Sequence, residues 1–541
     1  MLGRGVPRCW WGNTKSNNAA RRVPTFLHFT GICTTFNLRL KVGCTLEMKI
    51  KTRFHFAFRS VYTTFAEQMN QWNKEILRLA VPSIVTNVTV PLLGLVDLAI
   101  VGHIGNETMI GAIAVGSMIF NVMYWLMGFL RMGTSGMAAQ EYGARQNGAA
   151  VPIPFWSGVG GLALRLALMI AAGMLLLQVP LRWLSLWLMG PSAEVAALVR
   201  AYFNICIWGA PAMLSLYVMT GWFIGMQDTR TPMVVSITQN IINIVASLVL
   251  VFGFKMQIEG VALGTLIAQW SGAVMAWGKA RPRRPTPLSS EGERPTPQPL
   301  PCREGSEMPN QAENQEESQA KRVSTPLPSR EGLGAGSSSS SFFHANFDLF
   351  LRTICLVAVN LFFTSAGARQ GDMLLSVNTL LMTFFTLFSY VMDGFANAGE
   401  ALCGKYDGGT SPQSLQAVIR HLFRWGWLMV VLFTAVYALG GRGFLGLLTD
   451  EASVVDAAME YLPWALLIPV AGMAAFVYDG IFIGLLKTRG MLVASAVATV
   501  VFFGLYFALF PLWGNHALWL ALIVYLALRG LVQHLYLVES L

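Results

Sequence analysis

An aspartate stands inside the first long apolar run of the chain, where an acid could carry a proton. Asp97 lies in the segment PLLGLVDLAIVGHIG, about 21 residues into that run. Loss of hydration disfavours a carboxylate anion, so a lone acid there can hold a proton when its surroundings dry and release it when they become wet. The alternative is an aspartate at a helix end that reaches solvent by snorkelling. The sequence predicts a proton carrier at Asp97, in the outer half of its span.

The second half of the chain carries further ionisable residues inside apolar runs. Asp393, Asn397 and Glu400 are spaced i, i+4 and i+7, so they share one helix face. Asp479 lies in another run, VYDGIFIG. Ionisable groups within a membrane span are costly and are usually functional. These four residues are therefore secondary candidates for the coupling chemistry.

One arginine, Arg131, lies in the second apolar run. It could neutralise Glu400, Asp393 or Glu141 across an interface between two halves of the molecule. A purely structural ion pair and a role in coupling are both open at this point.

A polar stripe follows the fifth apolar run, SITQNIINIVASLVLVFG. Asn240, Asn243 and Ser247 recur at i, i+3 and i+7 and so share one helix face. Such a stripe in lipid either lines a wet cavity or bonds to neighbouring helices. We interpret these three residues as lining a cavity, with helix–helix bonding as the alternative.

The elements that position these residues must cross a membrane. The chain is 54% hydrophobic and 12% charged, with a mean hydropathy of +0.52, whereas about a quarter of a soluble domain is charged. In lipid every backbone N–H and C=O must be paired within its own segment, so the apolar runs are helices. Runs long enough to span the roughly 30 Å hydrocarbon core lie near 76–102, 108–134, 153–178, 195–225, 231–254, 257–278, 347–369, 373–402, 418–440, 453–485, 490–510 and 516–537.

The loops between the spans differ in charge. Nine Lys/Arg lie in one set of loops and four in the alternate set, counting the cluster Lys279–Arg284 but leaving aside the rest of the long central loop. Positive loops stay on the cytoplasmic side. The pattern therefore predicts that the first set, and both chain ends with it, are cytoplasmic.

Two segments differ in composition from the rest. Residues 1–68 hold eleven Lys/Arg and two Asp/Glu, a balance of 11 − 2 = +9, which accounts for almost all of the net charge of +10. We interpret them as a disordered extension or as sequence upstream of the natural start at Met69. Residues 280–345 are a low-complexity cytoplasmic insert with a serine run, whose composition cannot bury enough apolar surface to order itself. The expected lobes are thus 69–279, with spans 1–6, and 346–541, with spans 7–12.

The two halves repeat each other. GWFIGMQDTRTPM from Gly221 matches GIFIGLLKTRGML from Gly480, an offset of 480 − 221 = 259. A second match aligns Gly133 with Gly399, an offset of 266, and so pairs Arg131 with Asn397. Six spans per half give both halves the same orientation. The sequence predicts an all-α integral membrane protein with twelve transmembrane helices in two six-helix lobes, related by a pseudo-two-fold axis along the membrane normal, as in alternating-access carriers.

Several function classes are excluded. Basicity belongs to the N-terminal extension, so the main body is not a nucleic-acid binder. The seven cysteines form no CxxC pair, which argues against a zinc site and a disulfide framework. The sequence has no HExxH and no nucleophile elbow. We therefore expect a transporter without cofactor or metal, and not an enzyme.

Together these segments resemble the multidrug and toxic compound extrusion (MATE) family. The second-half segments resemble most the branch named after DNA-damage-inducible protein F. The resemblance covers about residues 70–278 and 346–538, and the ordered set of motifs on a six-plus-six repeat carries it: VDLAIVGHIG, the glycine run Gly128–Gly143, TRTPM at Thr229, NIV…FG at Asn243–Gly253, DGFANAGEALCG at Asp393–Gly404 and DGIFIGLLKTRG at Asp479–Gly490.

The resemblance implies a cation-coupled antiporter in the bacterial inner membrane that exports amphipathic, often cationic, compounds. It implies that Asp97 is the coupling acid of the first lobe. The family also has an aspartate four residues after the asparagine that Asn243 matches, and here that position is Ser247. A hard cation needs several oxygens, including charged ones, so we favour a proton over sodium as the coupling ion. The expected partners are the lipid bilayer and small amphipathic substrates, and we expect a monomer.

An alternative function is a flippase of the same broad superfamily that moves lipid-linked oligosaccharides. Such a carrier would need several cationic residues in its cleft to hold a diphosphate. The sequence offers Arg131 and, in the third span, Arg165.

Overall fold

The architecture is that of a computed structural model, which describes residues 71–89, 107–148, 155–156, 158–280, 335–449 and 451–540. Within these ranges the chain is helical and forms no strand. The first helix, α1, covers residues 71–89. The others are α2 (Glu107–Leu126), α3 (Phe129–Gln146), α4 (Val159–Leu176), α5 (Gln178–Met189), α6 (Ala193–Cys206), α7 (Ala210–Gly225), α8 (Arg230–Leu248), α9 (Ile258–Lys279), α10 (Ala335–Ala368), α11 (Asp372–Gly408), α12 (Pro412–Leu448), α13 (Ala452–Gly484), α14 (Thr488–Trp513) and α15 (Asn515–Ser540).

Eleven helical segments of the described ranges are long and apolar enough to cross a membrane. Helix α1 precedes them, at the place of the first predicted span, and residues 90–106 lie outside the described residues. Two spans are built from two helices each, α2 with α3 and α6 with α7. The predicted all-helical membrane fold is confirmed. We call the part from α1 to α9 the N-lobe and the part from α10 to α15 the C-lobe.

Helix α5 is a feature that the sequence did not predict. It has 12 residues and is about 18 Å long, too short to span a bilayer. None of its residues is buried, and Trp183 and Trp187 are 67% and 68% exposed. Tryptophan is enriched where lipid meets water, so α5 suits a position along that interface between α4 and α6.

Helix α10 begins eleven residues before the predicted start of the C-lobe at residue 346. It starts at Ala335 and includes the serine run that the sequence assigned to the insert. Phe342 and Ala345 are buried, and their packing supports the helix beyond the polar stretch. The rest of the insert, like residues 1–68, lies outside the described residues.

The two lobes repeat the same packing between their second and fourth spans. Gly225 packs against the backbone carbonyl of Ser135, and Gly484 packs in the same way against that of Glu400. Gly484 and Gly225 differ by the predicted 259, but Glu400 and Ser135 differ by 400 − 135 = 265. The predicted offset of 266 in these spans is therefore wrong by one residue.

The error in that offset has a physical cause. The sequence match rested on Gly133 and Gly399, yet Gly133 faces the side chain of Asn346 whereas Gly399 faces Leu422. These two glycines thus occupy different surroundings, and identity of residue type misled the alignment. In the corrected register Arg131 is equivalent to Ala396, and not to Asn397.

Candidate functional site

The lobes meet around a charged cluster between α3 and α11. Glu400 is 1% exposed and accepts a hydrogen bond from the Ser135 hydroxyl at 2.5 Å. Arg131 reaches across from α3, donates to Asn397 Oδ1 at 2.9 Å, and has Nη1 3.6 Å from the Glu400 carboxylate. This interlobe cluster (Arg131, Ser135, Asn397 and Glu400) joins the lobes through an ion pair inside the membrane. Of the three acids that Arg131 could have neutralised, it pairs with Glu400.

Small residues allow the two helices to approach at this cluster. The segment FANAGEALCG of α11 places alanine and glycine around Glu400, and its Gly404 packs against Gly136 and Ala139 of α3. Close approach without bulky side chains is the usual basis of helix packing in membranes. The sequence thus brings Glu400 to the interface because its neighbours leave room for the other lobe.

Ser135 and Glu400 occupy equivalent positions in the two repeats. Residues related by a two-fold axis contact each other only where they lie on that axis. The 2.5 Å hydrogen bond between them therefore marks the pseudo-two-fold axis. The cluster therefore lies on the axis that relates the two lobes.

Beyond this cluster, the lobes close against each other through glycines. A side chain at Gly143 would overlap the carbonyl oxygen of Lys405, and one at Gly408 would overlap that of Gln140. The two contacts are reciprocal, since 405 − 140 and 408 − 143 are both 265. Gln140 also donates to the Asp407 carboxylate at 3.0 Å. We call this contact, formed by Gln140, Gly143, Lys405 and Gly408, the seam; it lies at the end of the molecule whose loops are predicted to be cytoplasmic.

A second buried network lies within the C-lobe around Asp479. The Asp479 carboxylate accepts hydrogen bonds from Arg529 at 2.7 Å, from Gln533 at 2.6 Å, and from Arg352. Arg352, on α10, and Arg529, on α15, are each 4% exposed. Asp479, a candidate from sequence, is thus held by two arginines, and this group ties α10, α13 and α15 together.

Sequence reasoning missed both of these arginines. Each stands in an otherwise apolar run, Arg352 in FLRTICLVAV and Arg529 in LALRGLV. The same argument that singled out the acids, the cost of an ionisable group in lipid, applies equally to them.

Asp393, unlike Asp479, is not held by arginine side chains in the described parts of the chain. It is half-buried on α11, one turn from Asn397. Within the described parts of the chain, no hydrogen bond or salt bridge to its carboxylate is made. In the same described parts, no group of three or more His, Cys, Asp or Glu side chains lies close enough together to hold a metal ion.

The polar stripe of α8 divides between two contacts. Asn243 donates to Thr265 of α9 at 3.1 Å, and Ser247 lies 3.5 Å from Asn243 Oδ1; both are fully buried. They belong to a helix–helix contact and do not line an open cavity in this conformation, because Ser247 packs against Gly264 of α9. Asn240 instead donates to the carbonyl of Thr89 on α1 at 2.9 Å.

The main sequence candidate, Asp97, lies outside the described residues. The contact of Asn240 with Thr89 ties α8 to α1 eight residues before Asp97. Arg165, the other cation that the sequence offered to a flippase, is an exposed residue of α4.

The comparisons with known proteins agree with this architecture. The MatE family model matches residues 82–249 and 349–507, one stretch in each lobe. DNA damage-inducible protein F of Escherichia coli (strain K12) is 34% identical over 461 residues, which are 85% of this chain and 90% of that protein. The probable multidrug resistance protein NorM of Thermotoga maritima is 26% identical over 211 residues, 38% of this chain and 44% of that protein.

Solved structures show the same fold. A Vibrio cholerae MATE transporter, VcmN in the bent form, superposes with a TM-score of 0.69 at 17% identity and covers 87% of this chain and 97% of its own. A MATE structure in the bent conformation gives a TM-score of 0.68 at 17% identity, with 86% and 94% covered. The family model and the Escherichia coli relative together establish the assignment: the chain belongs to the MatE family of membrane transporters and is not an enzyme.

Proposed function

We propose that this transporter exports amphipathic, often cationic, compounds by alternating access and that proton entry drives the export. The observation that carries the proposal is the buried contact of Glu400 with Ser135 and Arg131 across the two lobes. Any rocking of the lobes must change this contact, so the charge of Glu400 and the direction in which the cleft faces depend on each other. Such mutual dependence is what coupling requires.

The coupling acids act in two places in this proposal. Asp97 carries the proton of the N-lobe, as the family resemblance implies. Glu400 couples its own protonation to the contact between the lobes, because a neutral Glu400 would lose its attraction to Arg131. Asp393, half-buried one turn from Asn397, is a further candidate to exchange a proton with the cleft.

The proton is favoured over sodium by the partners of the acids. Glu400 is paired with Arg131, and Asp479 is bound by Arg352, Arg529 and Gln533. A sodium ion would have to compete with these cations for the same oxygens. In α8, Ser247 supplies a hydroxyl where the family has a carboxylate, which further weakens a sodium site.

The relatives support export over the flippase alternative. Several matched proteins are named for multidrug resistance or multidrug export, among them the MepA protein of Staphylococcus aureus. The structure adds Arg352 and Arg529 to the cations of the interior, but both bind Asp479 and are not available to a diphosphate. We further propose a bacterial inner-membrane location, with both chain ends cytoplasmic, and a monomer.

Transport in proteoliposomes under an imposed proton or sodium gradient tests the proposal. We expect a proton gradient to drive movement of a fluorescent cationic amphiphile such as ethidium, and a sodium gradient to have no effect. Asp97→Asn should abolish proton-driven transport, whereas Asp456→Asn, at an exposed ion pair, should not. Full transport by Asp97→Asn would refute the role of Asp97. Transport of lipid-linked oligosaccharide without a gradient would favour the flippase.

A second prediction concerns the interlobe cluster. Glu400→Gln keeps the shape of the side chain and its hydrogen bond with Ser135 but cannot ionise. We expect proton-driven transport to fall about tenfold, the scale of a typical coupling free energy, with normal amounts of folded protein. Glu460→Gln, at an exposed glutamate, serves as the control. A pH dependence of transport that is the same in Glu400→Gln and wild type would contradict the proposal.

A further inference from the structure

A cavity of about 330 Å³ opens at one end of the C-lobe, away from the interlobe cluster. It lies between the beginning of α10, the turn from α13 to α14, and the end of α15. His344, Asp348, Lys487, Thr488, Arg489 and Tyr536 line it. It lies at the same end of the molecule as the seam, because the α13–α14 turn and the end of α11 are both there.

The charges in this cavity favour an anion. Asp348 is its one acidic side chain and already accepts a hydrogen bond from the Thr488 hydroxyl at 3.0 Å. Lys487 and Arg489 bring two positive charges to the lining. The cavity therefore carries excess positive charge at the level where the spans end.

The repeat gives an internal comparison. Lys487 is equivalent to Asp228, since 487 − 228 = 259, and Arg489 is equivalent to Arg230. In the N-lobe the Asp228 carboxylate accepts from the backbone N–H of Thr231 at 3.1 Å and from its hydroxyl at 2.8 Å. The N-lobe thus supplies its own anion at this position, and the C-lobe replaces that anion with a cation.

Apolar side chains flank the cavity on the outside of the bundle. Phe343 and Phe347 of α10 are 45% and 58% exposed, and Leu535 and Val538 of α15 are 59% and 62% exposed. In a membrane such surfaces contact acyl chains. Positive charge beside an acyl-chain surface is the pattern of a pocket for an anionic lipid headgroup.

We propose that this cavity binds the phosphate of an anionic phospholipid, with Lys487 and Arg489 as the principal contacts. The phospholipid's acyl chains lie against the exposed surfaces of α10 and α15. This site is separate from the proposed transport cycle and does not depend on it.

Native mass spectrometry of the full chain tests the proposal, with phosphatidylglycerol and phosphatidylcholine as probes. We expect tight binding of phosphatidylglycerol and about thirtyfold weaker binding in the Lys487→Gln/Arg489→Gln variant, at roughly 1 kcal/mol per cation. Arg230→Gln removes the equivalent exposed arginine of the N-lobe and should leave binding unchanged. An unaltered unfolding temperature without added lipid establishes that the double variant is folded.

Three results would overturn the proposal. The first is equal affinity of wild type and the double variant for phosphatidylglycerol. The second is equal affinity of wild type for phosphatidylcholine, which would remove charge as the basis of binding. The third is stabilisation by inorganic phosphate equal to that by phosphatidylglycerol, which would make the ligand a free anion and not a lipid.

Discussion

Replacing Asp479 with Leu should destabilise the protein by about 3–5 kcal/mol, the usual cost of leaving buried charges without their partner. The substitution would leave Arg352 and Arg529, each 4% exposed, facing each other with no carboxylate between them. Gln533 would also lose the acceptor for its amide. The free energy of unfolding, measured by denaturant titration in detergent micelles, checks this expectation.

The exposed ion pair of Arg442 and Asp456 provides the matched control. Its side chains are 69% and 60% exposed, so Asp456→Leu should cost about 0–1 kcal/mol. Adding Arg529→Met to Asp479→Leu should recover part of the loss, because one uncompensated charge is removed. Equal losses for Asp479→Leu and Asp456→Leu would show that the buried network does not stabilise the fold.

Replacing Gly143 with Leu should block transport while leaving each lobe folded. A side chain at this position meets the backbone carbonyl of Lys405 across the seam, and backbone cannot move aside as a flexible side chain can. Overpacking costs of about 1–3 kcal/mol would reduce the population of the closed seam roughly 5-fold to 150-fold. Transport assays, with cysteine cross-linking across the seam as a second readout, check this result.

Gly173→Leu is the control for this substitution. Gly173 is also a helical glycine of the N-lobe, but no atom lies within 4 Å of the position of its missing Cβ. Transport by this variant should equal that of wild type. Normal transport and cross-linking in Gly143→Leu would mean that the seam need not close during the cycle.

The spans could be predicted from sequence because they depend on local properties. Hydropathy and length decide whether a segment can cross a bilayer, and the helices lie where those runs were found. Helix α5 could not be predicted in this way because it is short and amphipathic. The start of α10 could not be predicted because its serine-rich composition is not typical of a helix, and tertiary packing supports it.

The candidate site could be predicted only in part. The spacing of Asp393, Asn397 and Glu400 fixed their shared helix face, and the sequence offered Glu400 among three partners for Arg131. Which partner is used depends on how two helices 265 residues apart pack, and composition carries no information on that. The Asp479 network likewise joins three helices that are distant in sequence.

The hydrogen bond between Ser135 and Glu400 joins two equivalent positions that carry different residues, so the two halves are not interchangeable there. If two copies of the second half assembled about the same axis, each Glu400 would face another Glu400, and two buried carboxylates would repel unless one were protonated. In a pair of first halves, Ser135 would face another Ser135, and Arg131 would lose the carboxylate that Glu400 now provides. The two halves are therefore specialised for each other at this contact: one half supplies the buried acid, and the other supplies the serine and the arginine that meet it.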